Sequence, residues 1–330
     1  MRKAREKVEG EGFYHVYNRM SGKRMLLRDP ALKGMLLEGV RRAGVFSGVE
    51  VLTYAIMDNH FHLLVRVPEK REIADEELAV RVRALYGERR AARMLSDWEA
   101  WESDASTAWR AVEARRRLAA RMNDLSQFVK TFAERFTMEY NRRTGNTGSP
   151  WGRRFGSVLV EHGESLATVA AYIDLNPVRA GIAAEPGQSA WTGYGAALRG
   201  DPVAREGLAS LYARAFGSDA GDWSDVESRY RKILDGRLAA DASDSGPAPR
   251  FDAAEVRRKL SAGESLTLFE LLRCRVRQFC AGVAFGGAAF TRSVRESRKM
   301  RGAPHRLPCV GLSWIGTAAG VRRRDAVALP

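Results

Sequence analysis

The sequence predicts an α+β fold: an antiparallel sheet of split βαβ type, covered by helices and interrupted by an inserted helical segment. Three observations predict it. Short β-branched and aromatic runs alternate with amphipathic helical patterns. Their order is strand, helix, strand, strand, helix, strand, helix. No run approaches the roughly 18 apolar residues of a membrane span, so no membrane-spanning helix is expected, and the 45% apolar content allows a substantial core.

FYHVYNR (13–19) reads as the first strand. Asp29-Pro30 then starts a helix as N-cap and N1, with apolar positions at Leu36, Leu37 and Val40. VEVLTYAIM (49–57) is a second strand, Asp58-Asn59 a tight connection, and HFHLLVRV (60–67) a third strand stopped by Pro68. Residues 70–120 are charged and helical, an insertion. In the next helix Leu125, Phe128, Val129, Phe132, Phe136 and Tyr140 share one face, until the turn formers of NRRTGNTGSP end it. RRFGSVLVE (153–161) is a fourth strand. Ser165 is expected to cap the helix SLATVAAYIDLN, which Pro177 interrupts, with Gly181 closing the turn. This order matches a ferredoxin-like sheet. Beyond residue 183 the pattern weakens. A helical extension and linker (238–252) and then a basic helical C-terminal region, a module or a tail, are expected.

The chain carries 54 Lys/Arg against 40 Asp/Glu, a net of +14. Residues 250–330 hold 16 of the basic and six of the acidic residues, so most of the excess lies in the last quarter. A polyanionic partner accounts for a local excess of this kind; an Arg-rich proteome accounts for a general one. The start, MRKAREKVEGEG, lacks a signal-peptide apolar segment. The three cysteines, Cys274, Cys280 and Cys309, have no zinc-type spacing, and a reduced cytoplasmic protein is expected.

Two of the five histidines, His60 and His62, flank Phe61. On a strand they project from one face about 7 Å apart, and Phe61 projects from the other. Two imidazoles so placed can converge on one divalent cation, and they can equally be hydrogen-bonded surface residues. On the helix ending at Asn176, Leu166, Val169 and Ile173 form the apolar stripe and Tyr172 lies at its edge. Tyr172 and Asn176 are one turn apart. The carbonyl of Asn176 is a hard ligand suited to Mg²⁺ or Mn²⁺; as a bland alternative, the pair is a boundary tyrosine and a helix-ending asparagine.

HFH on a strand followed by YIDLNPVRAG on a later helix resembles the HUH single-tyrosine transposases, in particular the REP-associated tyrosine transposase branch. FYHVYNR, the YNRRTGNTGSPWGRRFGSVLVE block and WTGYG (191–195) match in the same order, over about residues 10–200. The resemblance implies a catalytic domain at 1–200, followed by the 201–250 extension and the 251–330 basic region. It implies that His60, His62 and Asn176 hold Mg²⁺ or Mn²⁺ and that Tyr172 is the nucleophile. The implied activity is that of a metal-dependent endonuclease and strand transferase on single-stranded or hairpin-forming repeat DNA, through a 5′-phosphotyrosine. A non-catalytic DNA-binding regulator on the same fold is the alternative. Arg142, Arg143, Arg153 and Arg154 are candidate phosphate contacts. Trp151 either stacks on an unpaired base or packs below the sheet. The expected protein is cytoplasmic and nucleoid-associated, without a membrane partner, and works as a monomer or homodimer.

Overall fold

The computed structural model describes residues 6–217, 221–236, 251–262, 264, 266–274, 278–300 and 309–311. The first strand, β1, spans Gly12–Arg19. Helix α1 spans Pro30–Ser47; the Asp29 carboxylate accepts from the Ala31 amide, and Gly48 ends the helix at φ 70°. A Cβ on Gly48 would meet only the ends of the Arg81 and Asn123 side chains, so the left-handed backbone conformation is what favours glycine there. Strands β2 (Glu50–Ile56) and β3 (His60–Val67) follow.

The insertion folds as three helices, α2 (Asp75–Tyr86), α3 (Glu88–Glu102) and α4 (Ala108–Ala119). Their buried faces form a separate small core with Phe46 of α1, built from Leu78, Val82, Leu85, Trp98 and Leu118 among others. Helix α5 (Leu125–Thr144) is capped by Asp124, which accepts from the Ser126 and Gln127 amides. Strand β4 is Gly156–Val160. Helix α6 (Glu164–Asp174) starts after Gly163 at φ 76°, so Ser165 lies inside the first turn and is not the cap; its hydroxyl is buried without a partner. Leu175 breaks the helix, and the short α7 (Asn176–Arg179) contains Pro177.

Helices α8 (Gly193–Leu198), α9 (Pro202–Phe216), α10 (Trp223–Leu234), α11 (Ala253–Ala262), α12 (Leu268–Arg273) and α13 (Gln278–Ala281) come next. Strand β5 (Ala284–Gly286), helix α14 (Ala288–Met300) and strand β6 (Cys309–Gly311) complete the described chain. The expected linker lies outside the described residues except at 251–252, and the terminal VRRR lies wholly outside them.

The sheet order is β2-β3-β1-β4-β5-β6. The first four strands pair antiparallel, with β1 and β2 parallel on either side of β3, which is the split βαβ arrangement. The sequence reading stops at four antiparallel strands. The structure adds β5 and β6, both parallel to their neighbours, so the C-terminal region extends the same sheet.

One sheet face is packed by α1 and α5, with Phe61 against Phe132 and Trp151. The other is covered by α6 and α9 on β2 and β3. Registry puts His15, Tyr17 and Arg19 of β1 opposite Leu64, His62 and His60 of β3, hence all on this second face. Among the described residues no helix is long and apolar enough to cross a membrane.

Candidate active site

Strand alternation places His60 and His62 on the face that α6 covers, with ring centroids 5.2 Å apart. Tyr172 projects from α6 onto the same face, its ring 6.1 Å from that of His62. The structure therefore gathers His60, His62 and Tyr172 over one patch of sheet. Asn176, at the start of α7, is buried, and its amide nitrogen donates to the carbonyls of Tyr172 (3.2 Å) and Ile173 (3.1 Å). These bonds tie its side chain to the backbone of the last turn of α6.

Three further side chains from β1 enter the patch. His15 is fully buried, 2.8 Å from His62 through Nε2 and Nδ1, and its own Nδ1 is 2.8 Å from the Phe279 carbonyl. Tyr17 lies over β4 because Gly156 has no side chain; a Cβ there would sit 2.3 Å from the phenol ring. Arg19, exposed, stands opposite His60 in the ladder.

The patch is roofed by α13. Phe279 stacks on Tyr172 with centroids 4.3 Å apart. The Cys280 carbonyl accepts from the Tyr17 hydroxyl at 2.5 Å, and its sulfur lies 3.8 Å from the Tyr172 hydroxyl. Arg179 is buried beneath: one guanidinium nitrogen donates to the Tyr172 carbonyl (2.7 Å), another to the Leu272 carbonyl (2.8 Å), and its carbon is 4.0 Å from the Tyr172 ring centroid.

Electrostatics follow from this burial. Desolvation lowers His15 to about 4, helped by the Arg179 charge and opposed by the Phe279 carbonyl. Desolvation, with Arg19 and Arg179, lowers His60 to about 4. His62 is pushed well below its ordinary value, first by desolvation and then by His15 and His60. All three are neutral at pH 7, the form that ligates metal. The Tyr172 phenol is driven far up by desolvation and the Cys280 sulfur, with Arg179 opposing. Desolvation also raises the Cys280 thiol to about 11.

Of the remaining expected residues, Arg142, Arg143 and Trp151 lie apart from this patch. Arg142 and Arg143 at the end of α5 both pair with Glu139, at 2.7 and 2.6 Å. Trp151 packs on the opposite sheet face against Phe61 and Phe136, and its indole donates to the Ala133 carbonyl at 3.2 Å. That geometry is the packing alternative: the half-buried ring meets Phe61 edge-on and is tied to α5 by its indole N–H. Arg153 and Arg154 are exposed before β4, and the Arg153 charge reaches Tyr17.

No family model matches the chain, and no curated protein matches it. Among solved structures it is similar to a REP-associated tyrosine transposase bound to a REP hairpin. The TM-score is 0.33 at 15% identity, over 62% of this chain and 88% of that one. A superposition that loose shows no family membership.

Sequence reasoning missed His15, Tyr17, Arg19 and Cys280. The alternation of FYHVYNR already put His15, Tyr17 and Arg19 on one face. No spacing in the sequence announces Cys280.

Proposed function

We propose that this protein is a metal-dependent transesterase that cuts and rejoins single-stranded, hairpin-forming DNA, with Tyr172 as nucleophile. The observation that carries the reading is the Tyr172 ring 6.1 Å from His62, on the face that also holds His60. The motif order in the sequence and the basic excess support it as well.

The donor set suits a divalent ion. Asn59 Oδ1 lies 2.6 Å from His60 Nδ1 and His15 lies on His62 Nδ1, so the Nε2 of each ring is left for a ligand. His60 and His62, with the Asn176 carbonyl oxygen, would hold Mg²⁺ or Mn²⁺. A cation there supplies Lewis acidity at the scissile phosphate.

The chain's own groups do the rest. The Tyr172 oxygen attacks phosphorus and the 3′ oxygen leaves, taking a proton. The 5′ phosphate stays esterified to Tyr172, so attack by a second 3′-hydroxyl reverses the step without an external energy source. Arg179, packed on the ring, favours the phenolate by charge and cation–π contact. Arg19 and Arg153, exposed at the rim, are placed to hold phosphates.

One observation favours a second reading, a non-catalytic DNA-binding regulator: Tyr172 is only 7% exposed beneath Phe279. Labelled hairpin DNA with Mg²⁺ or Mn²⁺ separates the two. The transesterase gives a denaturant-resistant protein–DNA adduct that Tyr172→Phe abolishes; the regulator gives a mobility shift without adduct. An adduct that persists in Tyr172→Phe overturns the assignment of the nucleophile.

A further inference from the structure

We propose that His15, His62 and Cys280 form a second, soft-cation site that takes zinc and clasps α13 over Tyr172. One ligand atom from each of the three residues lies within 4.8 Å of the others. They come from β1, β3 and α13, so a bound ion would join the central sheet to the C-terminal region.

The donor chemistry selects the metal. A thiolate with two imidazoles suits zinc and is poorly matched to Mg²⁺ or Mn²⁺, which prefer oxygen. Tetrahedral zinc holds such ligands about 3.3–3.7 Å apart, from bond lengths of about 2.0–2.3 Å. The His15–His62 contact of 2.8 Å therefore has to open by only about half an ångström. The outer shell is already built. His15 donates its other ring nitrogen to the Phe279 carbonyl, the usual orientation of a ligating histidine. The Cys280 carbonyl takes the Tyr17 hydroxyl, which fixes the residue that carries the sulfur. The Tyr172 hydroxyl lies 3.8 Å from that sulfur, and it or a water would supply the fourth ligand.

The proton count is simple. On binding, the Cys280 thiol loses one proton to solvent, and the His62 proton moves from Nδ1 to Nε2. Nδ1 then faces zinc, and Nε2 is no longer available to an ion shared with His60. The two metal modes exclude each other through His62. The site rests on geometry alone and stands whether or not the protein cuts DNA.

The test is an anaerobic titration of the full-length protein with Co²⁺ and then Zn²⁺, without DNA. The expected result is one thiolate-to-cobalt charge-transfer band in the near ultraviolet, displaced by zinc. Cys280→Ser and His15→Gln should each lose the band; His60→Ala should keep it. In parallel, zinc should protect Cys280 of the unmodified protein from alkylation, mapped by mass spectrometry, which requires no variant to fold. Absence of the band in the wild type, its survival in Cys280→Ser, its loss in His60→Ala with folding intact, or alkylation of Cys280 unaffected by zinc each overturns the site. DNA adduct formation is scored separately, so failure here leaves the nuclease reading standing or falling on its own assay.

Discussion

His15 Nε2 lies 2.8 Å from His62 Nδ1, and that contact fixes which nitrogen of His62 is bare. The Phe279 carbonyl can only accept, so neutral His15 carries its proton on Nδ1. Its Nε2 must then accept from His62 Nδ1, which leaves His62 Nε2 as a lone pair. A chain of two hydrogen bonds thus sets the tautomer of His62, the proposed metal ligand beside Tyr172.

His15→Ala removes the acceptor and frees the His62 ring. Adduct formation with hairpin DNA should fall about 10–100-fold, as expected when the outer partner of a metal-ligating histidine is lost. The titration with Mn²⁺ should shift to higher concentration. His15→Gln offers an amide oxygen to His62 and an amide nitrogen to Phe279, and should recover part of the loss. An Ala variant with unchanged Mn²⁺ dependence counts against the relay.

The buried histidines predict acid sensitivity. His15 has a folded pKa of about 4 against 6.5 in the unfolded chain. Between those values the unfolded state binds more protons, so stability rises with pH through that window and is flat outside it. His15 alone carries about 3 kcal/mol on this scale. His60, also lowered to about 4, acts in the same direction. Asp174 opposes them: desolvation raises it to about 6, although it accepts from Thr53 and Tyr230, so its share is lost as pH rises from 3.8. Two histidines outweigh one carboxyl. Thermal melts should show Tm falling from pH 7 to pH 4.5; a constant or rising Tm contradicts the neutral cluster.

How much of this was legible in the sequence depends on the range of the signal. The shared strand face of His60 and His62 and the helix-edge position of Tyr172 were readable because each depends only on the period of its own element, whereas their joint role comes from the family resemblance. The role of His15 needed the β1–β3 register, which pairs residues 47 apart and leaves no local trace. Cys280 meets Tyr172 across 108 residues. Strands β5 and β6 are three residues each, too short to display an alternation. For Trp151 the sequence leaves base stacking and packing below the sheet both open; the isolated bridge from Met20 to Trp151 holds it against the sheet.

Phe279 is the lid residue over the proposed nucleophile. Its stacking on Tyr172 excludes water and holds the phenol in its neutral form. Phe279→Ala should expose the Tyr172 hydroxyl and speed adduct formation about tenfold, at a cost of about 3–5 kcal/mol in stability for the lost aromatic core group. Single-turnover adduct kinetics, with a melt of the same sample, measure both. Slower chemistry in a folded Phe279→Ala protein would show that the roof helps build the site.

The basic residues divide by what already neutralises them. Arg142 and Arg143 share one carboxylate, Glu139, which they hold down to about 2. Arg19 is exposed, stands opposite His60, and adds its charge at both His60 and Cys280. A phosphate entering the patch therefore meets Arg19 first, whereas binding at Arg142 requires displacing an ion pair. Exposed, solvent-screened pairs of this type hold their partners weakly, so the difference is one of degree. Arg19→Ala should weaken hairpin binding at every sequence tested and reduce the slope of log K against log salt by about 0.7–0.9. Arg142→Ala should change both by less. Fluorescence anisotropy across a salt series reads the two slopes, and equal slopes for the variants would move the DNA path away from β1.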